Sequence, residues 1–427
     1  MALAVKQITH LNERMEMTQL DHQIILINVS GQDKPGLMAW LMGTLEQYGA
    51  RVLDIGQAVI HSDLALGLLV KVSESECEQL VAKLKEQADG VGSELRVTEV
   101  SHDQYNKWLA ASGQKRFILT ILTKGEGAAA LHATATQTHH FALNIDTIRR
   151  LTDRGDSHKL DRGDIFCVEM RIRGNVDAVD ELRQSLMQQS LKLDFDFSLQ
   201  EDTVFRRNRR LVAFDMDSTL ITQEVMDELA VKYGIGEQVA AITERAMQGE
   251  LDFQASFRKR AALLKGMPVS LLDEVATEVE LNLGARRLIL ALKHFGYKVA
   301  LISSGFQYVG EYLQQQLGID YVYANNLVQK DGVMTGEVDG PIVDAQRKAE
   351  LLKEMATQEN IALQQTIAIG DGANDLPMLA AAGLGVAYHA KPVVLENAQH
   401  AISNFGLDAI LYLIGFSDRD IDQALQA

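Results

Sequence analysis

Residues 211–220 read LVAFDMDSTL. The apolar run from Leu211 to Phe214 predicts a short buried strand, and it ends directly in Asp215 and Asp217. In a parallel α/β sheet the C-terminal strand ends form the ligand crevice, and residues two apart on a strand point the same way. Two carboxylates so placed need a cation or a shared proton to coexist. On this stretch alone a second reading stays open: Ser218 or Thr219 could simply cap a following helix.

Further along, KVALISSGF and QTIAIGDGAND repeat the pattern of a short apolar strand ending in polar residues. Near-continuous apolar strands separated by helices predict a parallel sheet covered on both faces. The second of these runs into Asp371 and Asp375, with Gly370 and Gly372 permitting close backbone approach. Asp, Asn and Asp without Cys or His make a hard-oxygen site suited to Mg²⁺ rather than zinc. Ser303 and Ser304 end the first, where hydroxyls and amides can cradle phosphate oxygens or merely form a turn. Lys348 lies among Leu351, Leu352 and Met355 at helical spacing, on the face predicted to be buried. There it needs an anionic partner, unless it snorkels to solvent. Carboxylates, a hydroxyl, a lysine and an asparagine at three strand ends suit phosphoryl transfer. No GxxxxGK[ST] loop occurs, which excludes the P-loop solution. The interval from Ile221 to Arg287 breaks the strand-helix rhythm and predicts a wholly helical insertion.

Upstream, a different order occurs twice. HQIILINVS, GLMAWLMGTLEQYG, RVLDIGQAVIH, LALGLLVKV, ESECEQLVAKLKEQA and ELRVTEV predict strand, helix, strand, strand, helix and strand. RFILTIL, a helix near 128–138, LNIDTIRRL, IFCVEMRIR, VDAVDELRQSLMQQS and DFDFSL predict the same order again. We read two βαββαβ units of about 80 residues each, with a single irregular α+β domain as the alternative. EDTVFRRNRR is the clearest polar linker.

Composition narrows the setting of all this. A chain of 427 residues with 47% hydrophobic content suits two or three domains with real cores. It has no apolar run long enough to span a membrane, and the charged start MALAVKQITHLNERMEMTQL is unlike a secretory leader. Cys77 and Cys167 alone make neither a disulfide framework nor a zinc site, so a cytoplasmic protein is expected. The net charge of −17 argues against nucleic-acid or anionic-membrane partners. A site for an anion must then supply its own positive charge.

In order and spacing, DMDST, ISSGF, Lys348 and GDGAND resemble the motifs of the haloacid dehalogenase superfamily. DMDSTLITQEVMDELA and LDFQASFRKRAALLKG are similar to the branch that hydrolyses O-phospho-L-serine. The resemblance implies a Rossmann-like parallel-sheet core over 207–427, with a helical cap at about 222–287. It further implies Asp215 as nucleophile and Asp217 as general acid and base. Mg²⁺ would be held by Asp215, the Asp217 carbonyl and Asp371, supported by Asp375, and phosphate by Ser303, Lys348 and Asn374. In the cap, Glu224 would meet the substrate ammonium, Arg260 its carboxylate, and Phe253 would screen the site. Ser304 stands where relatives often carry Gly, which bears on a backbone contact. The upstream repeats, 21–100 and 115–200, resemble ACT domains, small α+β modules that bind amino acids. Asp33 and Gly36 in SGQDKPGLMAWL fit their ligand loop, whereas LTKGEGAAAL of the second copy lacks that pattern. L-serine as effector and a homodimer are what this likeness implies. Two other functions remain open: hydrolysis of another amino-bearing phosphomonoester, and amino-acid sensing by a chain whose catalytic part is vestigial.

Overall fold

The computed structural model describes residues 22–125, 127–153, 165–175 and 179–426. The N-terminal leader reading, the first residue of the 21–100 repeat and the start of the helix drawn over VDAVDELRQ lie outside them. The chain forms two units, one ending at Gln114 and one beginning at Lys115. Among the described residues no helix is long and apolar enough to cross a membrane.

The first unit comprises β1 (His22–Gln32), α1 (Leu37–Gln47), β2 (Arg51–Ile60), β3 (Asp63–Ser73), α2 (Glu74–Val91), β4 (Glu94–Val100) and α3 (His102–Ser112). Its four strands pair antiparallel in the order β2-β3-β1-β4. Alternate residues of β1 and β3, Ile25, Ile27, Leu66 and Leu68 among them, pack against Leu41 and Leu45 of α1 and Leu80 and Leu84 of α2. Gly36 opens α1 at φ 95°, a backbone region that favours glycine. The sequence reading did not include α3. A capping box starts it, in which Ser101 Oγ accepts from the Gln104 amide and Gln104 Oε1 accepts from the Ser101 amide.

The second unit opens with β5 (Arg116–Lys124), α4 (Ala128–His140), β6 (Asn144–Arg150), β7 (Ile165–Arg173), α5 (Val179–Leu193) and β8 (Phe195–Glu201). The strand order β6-β7-β5-β8 repeats that of the first unit. β5 is buried from Phe117 to Thr123 without alternation. Its Leu119 and Ile121 pack toward α4 and α5, and Leu122 joins the core of the rest of the unit.

That core continues through β9 (Leu211–Phe214), the helices α6 (Val225–Tyr233), α7 (Gly236–Met247), α8 (Phe253–Leu263) and α9 (Ser270–Glu278), then α10 (Ala285–His294). There follow β10 (Lys298–Phe306), α11 (Gln307–Leu317), β11 (Tyr321–Lys330), β12 (Val333–Asp339), α12 (Ala345–Gln358) and β13 (Thr366–Gly370). The chain closes with α13 (Leu376–Ala381), β14 (Leu384–Tyr388), α14 (Pro392–Asn397), β15 (His400–Ile402), α15 (Ile410–Leu413) and α16 (Asp418–Gln426). β11, β10, β9, β13, β14 and β15 are parallel. Between β9 and α10 the chain is helical, joined at its base by an Ile221–Leu281 bridge.

The two sheets of the second unit are one. β15 pairs antiparallel with β8 at Ala401–Phe197, which gives a sheet of 11 strands. Side chains reinforce this thin seam. Asp196 accepts from the Ser403 and Asn404 amides at 3.0 and 2.9 Å and from Asn404 Nδ2 at 3.0 Å. Ser198 Oγ lies 3.1 Å from His400 Nδ1. The segment read as a polar linker is partly interior: Arg206 and Arg209 are buried, and Arg206 pairs with Glu169 of β7 at 2.7 Å.

Candidate active site

β9 sits between β10 and β13, so three parallel strands end side by side. Asp215 follows β9, Ser303 lies near the C-terminal end of β10, and Asp371 follows β13. Beyond Asp215 the chain makes one loose turn, Met216–Leu220, extended at Asp217 and left-handed at Ser218 (φ 57°). A non-glycine residue in that region stores strain. Asn282 restrains it, its Nδ2 donating to the carbonyls of Ser218, Thr219 and Ile221 at 3.3, 2.9 and 3.0 Å.

Lys348 is fully buried and lies between two carboxylates, 2.8 Å from Asp215 Oδ1 and 2.7 Å from Asp375 Oδ1. The snorkelling alternative is therefore ruled out by its environment. Burial opposes its charge, but Asp215 and Asp375 outweigh that and raise its pKa. Asp215 also accepts from the Met216 amide at 2.7 Å. Asp375 accepts from the Gly372 amide at 2.9 Å, and Asp371 from Thr219 Oγ1 at 3.0 Å. Oxygens of Asp215, Asp371 and Asp375 all lie within 4.8 Å of one another.

One lysine does not balance four acids. Burial, and then Asp375, push Asp215 well above the usual carboxylate range. Burial and Asp375 bring Asp371 to about 6, and burial and Glu224 bring Asp217 to about 7. Such a surplus of negative charge among hard oxygen donors fits a divalent cation.

Asp217 accepts from the Val225 amide at 3.1 Å. Gly305 leaves room for it: a Cβ there would come within 2.4 Å of Asp217 Oδ2 and 3.0 Å of Ser303 Oγ. Ser303 is fully buried, and its Oγ accepts from the Gly305 amide at 2.8 Å. Ser304 Oγ is buried without a partner, while its carbonyl accepts from Asn325 Nδ2 at 2.8 Å. Asn374 is half-buried in the turn after Asp371.

From the helical insertion, Glu224 accepts from Ser218 Oγ at 2.9 Å. Arg260 lies on α8 with its Nε buried and unpartnered. Burial lowers its pKa, against the attraction of Asp227, Glu224 and Asp217. Phe253 begins the same helix and stacks on Phe257 at 6.2 Å, which meets Phe306 at the end of β10 at 6.0 Å. Gln254 donates to Asp344, the N-cap of α12, at 2.7 Å. In the first unit, Asp33 is exposed and its amide donates to the Ser62 carbonyl at 2.8 Å.

Sequence reasoning missed Asn282, and it saw Thr219 only as a helix cap and Gly305 only as part of a strand end, not as a partner of Asp371 and as the room beside Asp217. Gly305 stood inside the quoted motif, where a glycine in a strand marks a close approach of another group. Asn282 carries no local signal, because its partners are about 60 residues away in the chain.

The fold and these strand ends define a haloacid dehalogenase-like hydrolase, and the model of that family matches residues 212–380. An ACT domain model matches residues 23–98. A phosphoserine phosphatase of Streptomyces coelicolor is 38% identical over 405 residues, 95% of each chain. One of Mycobacterium tuberculosis is 36% identical over 402 residues, 94% of this chain and 95% of its own. A solved structure, a probable phosphoserine phosphatase from Vibrio cholerae, aligns with a TM-score of 0.57 at 35% identity, over 72% of this chain and 88% of its own. The chain therefore belongs to the phosphoserine phosphatase family of haloacid dehalogenase-like hydrolases.

Proposed function

We propose that the chain hydrolyses O-phospho-L-serine to L-serine and inorganic phosphate through an aspartyl-phosphate on Asp215, the last step of serine biosynthesis. The observation that carries this reading is the buried Asp215, paired with Lys348, beside an Asp217 that burial and Glu224 hold at about 7. A carboxyl with that pKa can give up a proton and take one back near neutral pH.

An Asp215 oxygen attacks phosphorus, and the bond from phosphorus to the serine oxygen breaks as Asp217 protonates that departing oxygen. Asp217 then accepts a proton from water, whose oxygen attacks phosphorus, releasing phosphate and restoring Asp215. Lys348, Ser303 and Asn374 bind the phosphoryl oxygens, with backbone amides near Ser304. Mg²⁺, held by Asp215, the Asp217 carbonyl and Asp371 with Asp375 behind them, would neutralise charge on the transferring group. Arg260 pairs with the substrate carboxylate and Glu224 with its ammonium. The unpartnered Nε of Arg260, with Glu224 and Asp217 among its attracting neighbours, supports that division. Phe253 excludes water.

We place the domains at 21–100, 115–200 and 207–427, with the cap at about 222–287. L-serine is the proposed effector of the ACT-like modules, with Asp33 and Gly36 at its loop, and the proposed assembly is a cytoplasmic homodimer. The test is phosphate release from phosphoserine against a panel of monoesters, with and without Mg²⁺ and L-serine. Phosphoserine should be preferred at least tenfold; equal turnover of sugar phosphates or nucleotides would overturn the substrate and leave the reaction class standing.

A further inference from the structure

On a chain whose net charge is −17, a local excess of cations stands out. A cleft of about 510 Å³ is lined by β6, β7, the Phe205–Arg207 turn and residues 414–416. Arg149, Arg171, Arg206 and Arg207 line it, against one carboxylate, Glu169. Arg206 is 6% exposed; its Nη2 donates to Glu169 Oε2 at 2.7 Å, and its Nε is buried with no partner. Arg149 stands 3.7 Å from the other Glu169 oxygen and donates to the Gly415 carbonyl at 3.4 Å. Arg207 is paired with Asp202 at 2.9 Å. Among the described residues, four guanidiniums against Glu169 and Asp202 leave two positive charges in excess.

Arg209, close enough to Arg206 to feel its charge, is 3% exposed; its Nη2 donates to the Gly383 carbonyl at 3.4 Å, and its Nε and Nη1 are unpartnered. Burial and the nearby Arg206 lower its pKa to about 10. Buried guanidinium groups in a purely structural role come with matching acceptors, because an unpaired buried donor costs about 1–3 kcal/mol. Here a partly open cleft lies beside unused donors. Tyr297 and Phe416, the latter stacked on Phe295 at 4.2 Å, add an aromatic wall.

We propose that this cleft binds a compact polyvalent oxyanion, separate from the Asp215 site. Planar guanidinium forks match the oxygen pairs of phosphate and carboxylate groups, so the shared chemistry is two or more negative charges on a small frame. Arg149 and Arg171, on the exposed face of β6 and β7, would clamp the anion from one side, and Arg206 from the turn that leads into β9. Occupancy would tie β6 and β7, at the far edge of the 11-stranded sheet, to the turn that leads into β9.

Titration calorimetry on the full chain without Mg²⁺ tests this, using inorganic phosphate and tricarballylate as probes at ionic strength matched with sodium chloride. The comparison is with Arg149→Ala/Arg171→Ala, both exposed positions whose replacement leaves the core intact. Affinity for at least one probe should fall by about tenfold per arginine removed, with phosphoserine turnover unchanged. Loss confined to phosphate would identify a phosphorylated ligand, loss confined to tricarballylate a polycarboxylate, and loss of both charge as the sole criterion. Equal binding of both probes by the wild type and the double variant, or no heat from either probe with the wild type, would overturn the proposal.

Discussion

Lys348 Nζ joins Asp215 and Asp375 across two strand ends, 2.8 Å from one and 2.7 Å from the other. The contact links α12 to the ends of β9 and β13, so the lysine positions the carboxylate that would attack phosphorus as well as neutralising it. Removing one partner of a buried charge network strands the others, which costs about 3–5 kcal/mol. Lys348→Ala should lower Tm and abolish turnover, with part of the Tm restored by Mg²⁺, which supplies the missing positive charge. Thermal unfolding with and without the metal reads this. A variant as stable as the wild type without Mg²⁺ would contradict the bridging role.

Asp217→Asn should slow phosphoserine turnover by about 10²–10⁴-fold while leaving the fold intact. The loss should be much smaller in the first half-reaction with p-nitrophenyl phosphate, whose leaving group needs no proton. Burst kinetics separate the two half-reactions. Equal losses on both substrates in the burst would argue against a proton donor at this position.

Gly305→Ala tests the room left for Asp217. The added Cβ would meet Asp217 Oδ2 at 2.4 Å and Met216 Cε at 2.9 Å. A displacement of this kind at a catalytic group costs about 10²-fold in kcat. KM should change little, and wild-type kcat would show that Asp217 need not stand where it does.

Arg260→Ala should raise KM for phosphoserine by about 10- to 150-fold, the range of a lost hydrogen bond to a charged group. Turnover of phosphoethanolamine, which has no carboxylate, should be unaffected. An unchanged KM for phosphoserine would remove Arg260 from recognition.

Much of this site is readable from short stretches because each motif is a strand followed at once by its chemistry. Leu211–Phe214, Thr366–Gly370 and the GDGAND turn need only local periodicity to be placed. The seam between β8 and β15 is not readable that way. β15 is three residues long, and its pairing with Phe197 spans about 200 residues of chain. A hint existed in the apolar run of β5, broken only by Thr120 between Phe117 and Leu122 and buried on both faces, whereas β1 alternates over its second half. The burial of Arg206 and Arg209 within EDTVFRRNRR had no such hint, since a string of arginines reads as solvated until its partners are known.

The seam has a pH signature. His400 is buried beside Ser198, and burial, then Arg183 and Arg209, lower its pKa from 6.5 to about 3. The folded chain therefore binds fewer protons than the unfolded one between these values. No stability is lost above pH 6.5, and below it the wild type loses up to about 1.4 kcal/mol per pH unit until about pH 3. His400→Gln lacks that titration, so its Tm relative to the wild type should rise as pH falls from 6.5. A difference independent of pH would show that His400 titrates normally.

The covalent step is the most direct test. Quenching the full chain with Mg²⁺ and phosphoserine during turnover, followed by peptide mass spectrometry, should find phosphate on the peptide containing Asp215 and nowhere else. Asp215→Asn should carry none and release no phosphate. Normal turnover by that variant, or phosphate trapped on another residue, would contradict the mechanism.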